Sequence, residues 1–330
     1  MRRARVAPGR ASSAMLAPPL AKPRRFSPGT PCAIATSMVS MKLAPNTANA
    51  ALALATLVAT ASFGGILLPS VYARETPSWA AQAAGQDWFD LVVLVPLLIG
   101  CAVGVLRGSR SAVLLLGGAL IYSLYTFVLY ALAVHFNALF LVYCAALGVS
   151  FFALVGLGNR LLGENARDWY REPPPVRLTG GALIVVGLLF YGLWLSQVVP
   201  AIARGTLPVD LAEVGLPTNP VHVLDLSIAL PAMLGAGVSL LRRRRLGYLL
   251  GPMMLVFSIL MSLTIATLVV VMRRRGLPGD LGLVGVFAVT ALFTAALLRR
   301  MLRHIAPQSP ARRIDSRRAL FVRKEAGAES

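Results

Sequence analysis

Residues 89–106 read FDLVVLVPLLIGCAVGVL and run directly into Arg107-Gly-Ser-Arg110. A bilayer core of about 30 Å needs about 20 mostly apolar residues, with basic residues favoured at the cytoplasmic edge, and this stretch meets both requirements. The phrase returns 135 residues later, where residues 225–241 read DLSIALPAMLGAGVSLL and lead into Arg242 to Arg245. Aligned without gaps, residues 90–123 and 225–258 agree at twelve of 34 positions. Leucine and valine matches mean little in apolar sequence, so the weight falls on Asp90/Asp225, Pro96/Pro231, Gly100/Gly235, Arg107/Arg242 and Arg110/Arg245. A weaker pair, Pro69 to Arg74 and Pro200 to Arg204, extends the match upstream. The spacing predicts two four-helix halves that start on the same side, a parallel repeat about an axis normal to the membrane, a geometry known from transporters.

Working outward, eight apolar runs qualify as spans: 49–71, 89–106, 111–134, 137–159, 179–202, 221–241, 246–272 and 281–301. The chain is 57% hydrophobic and only 14% charged, against roughly 45–50% and 25% in soluble domains, which excludes a soluble globular fold. Its mean hydropathy of +0.71 equally excludes a disordered chain. The ten-residue alternation of a transmembrane barrel is absent. The expected fold is an all-α polytopic bundle of about eight transmembrane helices. Its expected partner is the lipid bilayer, with a second copy or a membrane-complex subunit left open.

A net charge of +19 invites a nucleic-acid reading, but the charges sit in short segments between apolar runs, so no nucleic acid is expected. With the N-terminus inside, the inner segments hold 27 Lys and Arg and the outer ones five, which puts both termini in the cytoplasm. Arg273 to Arg275 are the exception and weaken the placement of the last helix pair. Cys32, Cys101 and Cys144 show no metal or disulfide spacing. The organisation expected is a basic, disordered segment over 1–47, a first half over 48–160, a cytoplasmic linker over 161–178 carrying Pro173 to Pro175, a second half over 179–302, and a solvated tail over 303–330. Met38 or Met41 is the alternative start, and a transit peptide has the same composition. Val71-Tyr72-Ala73 would suit cleavage after a signal peptide, although the apolar run is long for one.

Polar residues fall mainly at the outer ends of the helices: Asp87 and Asp90, His135 and Asn137, Gln197, and Asn219, His222 and Asp225. The 135-residue offset pairs Asp87 with His222 and Asp90 with Asp225, so each half presents two polar side chains at i and i+3 on one helix face. Such residues are costly in membranes and point to function. As ligands, His222, Asp225, Asp90 and His135 suit a divalent transition metal such as zinc, manganese or iron. The same groups suit proton transfer. Pro96 and Pro231 would free the carbonyls of Val92 and Ser227. Capping also accounts for many of these residues, since Asn219 precedes Pro220 at a helix start, Asn137 is placed to cap the fourth helix, and carboxylates favour helix N-termini. Tyr122, Tyr125, Tyr130 and Tyr143 read as a polar path or, more simply, as core and interface packing.

No P-loop, HExxH, GxSxG or GxGxxG pattern occurs. The phrases HFNALFLVY (135–143) and NPVHVLDL (219–226) give the chain a general look similar to uncharacterised multi-pass bacterial inner-membrane proteins. That resemblance implies an inner (plasma) membrane location and no particular activity. Three functions remain open: small-solute, ion or proton handling at the outer polar cluster, a membrane-embedded metal-dependent enzyme, and a non-catalytic accessory subunit.

Overall fold

A computed structural model of the chain describes residues 31–208, 211 and 214–306. Two compact units are distinguished, Met1–Met38 and Val39–Ser330, and the second carries the apolar helices. Among the described residues, eight helices are long and apolar enough to cross a membrane, and they suggest a multi-pass membrane protein. They are α1 (Pro31–Leu67, with the apolar part Pro45–Leu67), α2 (Pro77–Leu106), α3 (Arg110–Ala133), α4 (Phe140–Leu162), α5 (Val176–Arg204), α6 (Pro220–Leu241), α7 (Arg245–Arg274) and α8 (Leu281–Arg303). Among the described residues, extended pairing is limited to one isolated bridge, Tyr170 to Ile305.

Seven of the eight expected runs match these helices closely, and α2 is the exception. It starts at Pro77, twelve residues ahead of the run that begins at 89. Thr76 accepts a hydrogen bond from Trp79 N (3.3 Å), and proline fills the first helical position, a strong start signal. Asp87 and Asp90 therefore lie about three turns inside the helix, and helix capping does not explain them. Of the segment 1–47 expected to be disordered, residues 31–47 are helical, while the remainder lies outside the described residues, as does the tail beyond 306.

Both α2 and α6 change hydrogen-bond register at their aspartates. Asp90–Leu94 and Asp225–Ala229 are π-turns, 135 residues apart. Val95 N donates to Asp90 O and Leu230 N to Asp225 O, each one residue further back than in an α-helix. Each π-turn absorbs the N–H missing at the following proline, Pro96 or Pro231. The helices then end alike. Arg107, Gly108 and Ser109 N donate to Val103, Val105 and Gly104 O, and Arg242, Arg243 and Arg244 N to Val238, Leu240 and Ser239 O. This cap needs one left-handed residue. Gly108 supplies it at φ 77°, while at the end of α6 Arg243 takes φ 51°.

The bundle has two distinct ends. At one, here the site end, Glu75 meets His135, and Arg275 Nη1 donates to Ala80 O (3.2 Å). At the other, the arginine end, the Arg110 guanidinium lies 5.4 Å from the Trp169 ring, and Tyr170 donates to Tyr248 O (3.1 Å). There Arg171 N also donates to His304 O (2.9 Å), and Ala306 N to Trp169 O (2.7 Å). Residues 304–306 are thus held rather than free.

α3 and α7 form the centre, with 72% and 50% of their apolar windows buried, whereas α5 is the most outlying at 11%. α7 packs on α2, α3, α6 and α8. The packing is uneven in one informative place. At Gly85 the α2 backbone lies so close to α7 that a methyl group would sit 2.9 Å from Leu268 Cα. The position 135 residues on is Pro220, and the first turn of α6, Pro220–Leu224, packs on α3. The space left there is a cleft.

Candidate functional site

The first-half aspartates are almost completely enclosed, each 1% exposed. Asp87 Oδ2 accepts a hydrogen bond from the Tyr72 hydroxyl (2.6 Å), and Oδ1 accepts one from Tyr130 (2.7 Å). Tyr72 belongs to the α1–α2 connection, so a carboxylate inside α2 is held by phenols from a loop and from α3. Burial, with the Asp87 charge beside it, pushes the Tyr72 phenol well above its ordinary value, which keeps it a donor. α1 completes the enclosure at Gly65, where an added methyl would overlap Asp87 Oδ2 and press on the Tyr72 hydroxyl.

One turn further on, Asp90 Oδ1 accepts from Gln86 Nε2 (2.9 Å) and from the Tyr122 hydroxyl (3.0 Å). Gln86 Nε2 also donates to the Tyr122 oxygen (2.6 Å), which shares a hydrogen bond of 2.7 Å with Thr264 on α7. A phenol has one proton. Since Tyr122 gives it to Asp90, Thr264 is the donor in that last bond. Among the described residues no Lys, Arg or His stands against Asp87 or Asp90. Burying an ion without a counter-charge is expensive, so the phenols and the amide are what make two enclosed carboxyl groups tolerable.

The cleft between α2, α3, α6 and α7 leads to these groups from the site end. Its volume is about 70 Å³, and its walls include Trp79, Gln86, Thr126, Tyr130, Val221 and Leu268. A water needs only about 10–15 Å³ of such volume, so the cleft holds several waters or a solute of a few heavy atoms. Gln86 and Tyr130 line it, and they are the direct partners of Asp90 and Asp87. At the same end Trp79 Nε1 donates to Ala133 O (2.8 Å), and Leu211 and Val214 pack against this pair.

Asp225 is placed differently from Asp90. It accepts from Trp194 Nε1 on α5 (2.8 Å), and the His222 ring lies against that indole at 4.6 Å between centroids. The Tyr191 hydroxyl donates to Leu226 O (3.0 Å) inside the π-turn. The Tyr125 hydroxyl interacts with Asp225 electrostatically without meeting hydrogen-bond geometry.

The expected metal set is not assembled. Among the described residues no three His, Cys, Asp or Glu side chains gather as they would around an ion. His135 is taken by Glu75: its backbone N donates to Oε1 (2.7 Å), and Nδ1 lies 3.0 Å from Oε2. Asp90 is committed to Gln86 and Tyr122, while His222 and Asp225 share Trp194. Asn137 ties its own turn together, donating to His135 O (3.0 Å) and accepting from Leu139 N (2.8 Å). It is not the N-cap residue of α4, which is Leu139. Asn219 does cap α6, accepting from Val221 N (3.0 Å) and His222 N (3.4 Å). Gln197 joins neither cluster, and its Oε1 is buried on α5 without a hydrogen-bond partner among the described residues.

The functional partners that sequence reasoning misses are Tyr72, Glu75, Gln86, Trp194 and Thr264. Of these, Gln86 has a signal, because it lies at i and i+4 with Asp90 on a helix whose start Thr76-Pro77 announces. Comparison of the chain with protein-family models, with curated proteins and with solved structures finds no match.

Proposed function

We propose that the chain is a multi-pass membrane protein that handles a proton, together with a small solute or ion, at the Asp87–Asp90 pair. The observation that carries this reading is the pair itself: two carboxyl groups, 1% exposed, on one face of an apolar helix, held by phenols and an amide with no cation beside them. An aspartate at the centre of a membrane helix costs about 2.5–3.5 kcal/mol, and such residues mark ion and proton pathways. The cleft gives the pair a way out to the site end, and Gln86 and Tyr130 are the groups a solute would meet there.

The two halves are read as copies of one four-helix unit. In support stand the π-turns at Asp90 and Asp225 and the matching terminal hydrogen bonds of α2 and α6, all at the offset of 135. The copies have diverged where the site lies. Asp90 is served by Gln86, Tyr122 and Thr264, whereas the corresponding Asp225 is served by Trp194. One carboxylate pair with its cleft therefore does the work, with the second half as its frame. The arginine end faces the cytoplasm in this reading, supported by the excess of basic residues there, with the plasma membrane as the location.

The test is flux in proteoliposomes carrying an internal pH dye, with an imposed pH gradient and candidate small cations outside. Asp87→Asn and Asp90→Asn should each abolish proton movement that the wild type supports, with both variants folded by gel filtration. Equal flux in wild type and both variants would overturn the assignment.

A further inference from the structure

We propose that protons reach Asp87 by a route of their own, from His135 at the surface through Glu75 and past the Tyr143 hydroxyl, separate from the cleft that opens on Gln86 and Tyr130. This deepens the carboxylate-pair reading above and rests on it.

The geometry gives Asp87 two sides. Oδ1 faces Tyr130, which lines the cleft, while Oδ2 faces Tyr72 on the side of α1 and α4. On that second side lies Glu75, whose side chain is 1% exposed although its partner His135 is 43% exposed. A carboxylate sealed in behind a surface imidazole is well placed to receive a proton from it, because Nδ1 and Oε2 are already 3.0 Å apart. Tyr143 on α4 interacts electrostatically with both Glu75 and Asp87. Its residue is 1% exposed, its hydroxyl has no hydrogen-bond partner among the described residues, and it interacts with Asp87, Asn137, Tyr72 and Glu75. A buried hydroxyl in that setting is the kind of group that an internal water serves.

The groups facing Asp87 are thus Tyr72 from the α1–α2 connection, Tyr130 from α3, Tyr143 from α4 and Asp90 from its own helix. From α1, Gly65 packs directly against Oδ2, so the approach left to a proton is from the Tyr72 and Tyr143 hydroxyls.

The transfer balances as a chain of single exchanges. Bulk water gives a proton to Nε2 of His135, and the Nδ1 proton passes to Oε2 of Glu75. The carboxyl proton passes to a water held by the Tyr143 hydroxyl and from there to Oδ2 of Asp87, directly or by exchange through the Tyr72 O–H. Each step breaks one N–H or O–H bond and forms one. The net change is one proton moved from bulk water to Asp87, with His135 returned to its starting charge.

The experiment is time-resolved infrared spectroscopy of the full chain in lipid nanodiscs after a pH jump, following the carboxyl C=O band that Asp87→Asn removes. Glu75→Gln and Tyr143→Phe should each slow protonation of Asp87 by about tenfold or more, with the final extent unchanged. Tyr143→Phe removes only a hydroxyl and so preserves the packing. Val221→Phe, which fills the cleft, should leave the rate as in the wild type. Wild-type rates in Glu75→Gln and Tyr143→Phe would overturn the route while leaving the carboxylate reading standing. Slowing in Val221→Phe alone would assign protons to the cleft instead. A wild type with no titrating Asp87 band would end both.

Discussion

Gly65→Ala tests the site most directly, because the substitution touches the carboxylate without altering any polar group. The added methyl would overlap Asp87 Oδ2 and crowd the Tyr72 hydroxyl, so either the Tyr72 to Asp87 hydrogen bond breaks or α1 moves off. A hydrogen bond to a charged group contributes about 1.5–3 kcal/mol. Overpacking adds about 1–3 kcal/mol, and replacing glycine by alanine within a helix returns about 1 kcal/mol. The net destabilisation is about 1.5–5 kcal/mol, a factor of roughly ten to five thousand in the folding equilibrium. Reversible unfolding in mixed micelles, followed by tryptophan fluorescence, measures it. Gly158→Ala is the control, because that glycine is exposed on α4 with nothing within 4 Å, and it should be neutral or slightly stabilising. If Gly65→Ala proved as stable as this control, α1 would not close over Asp87, and the carboxylate would stand open on that side.

Arg243→Gly should stabilise the protein by about 1–2 kcal/mol by relieving the left-handed arginine, since glycine fills the equivalent position at the end of α2 as Gly108; a loss of stability in the same titration would refute this. Tyr122→Phe should cost about 2–4 kcal/mol, since it strips a donor from Asp90 and leaves the Thr264 hydroxyl without its acceptor; a cost near zero would mean the hub is not formed. The Tyr72 phenol is raised in the folded state, so the unfolded chain loses that proton first. The Tyr72 contribution to stability should be level below about pH 10 and fall above it, by up to about 1.36 kcal/mol per pH unit. Tyr72→Phe should flatten that alkaline slope by one proton, and an unchanged slope would place the phenol in water.

Hydropathy alone makes the eight helices and the Asp-to-Pro phrase legible, because long apolar runs and a shared offset survive without any tertiary information. The start of α2 is obscured, since Gln82, Gln86 and Asp87 lower the local hydropathy and shift the apparent edge to 89, although Thr76-Pro77 carries the true signal. The depth of Asp87 and Asp90 follows from that one boundary. The roles of Tyr72, Tyr122 and Tyr130 have no sequence signature, because tyrosine suits membrane interfaces equally well and only the packing of α2 against α3 aims the hydroxyls inward. The dispersal of the four candidate ligands is hidden for a related reason. Residue types set what a side chain can bind, but neighbours choose, and His135, Asp90 and Asp225 are held by Glu75, Gln86 and Trp194.

The arginine end is fastened by main-chain bonds, Arg171 N to His304 O and Ala306 N to Trp169 O. Such bonds do not depend on side-chain identity. Arg171, His304 and Ala306 can therefore change in letters while keeping that grip on the end of α8, whereas Trp169 and Tyr170 also hold by their side chains, and one inserted or deleted residue shifts the register and releases the main-chain bonds. At the site end the fastenings are side chains, Glu75 to His135 and Arg275 to Ala80, and a single substitution undoes each. In evolutionary terms, the main-chain fastenings constrain the length of the connecting segment more than its letters, and the side-chain fastenings constrain the letters.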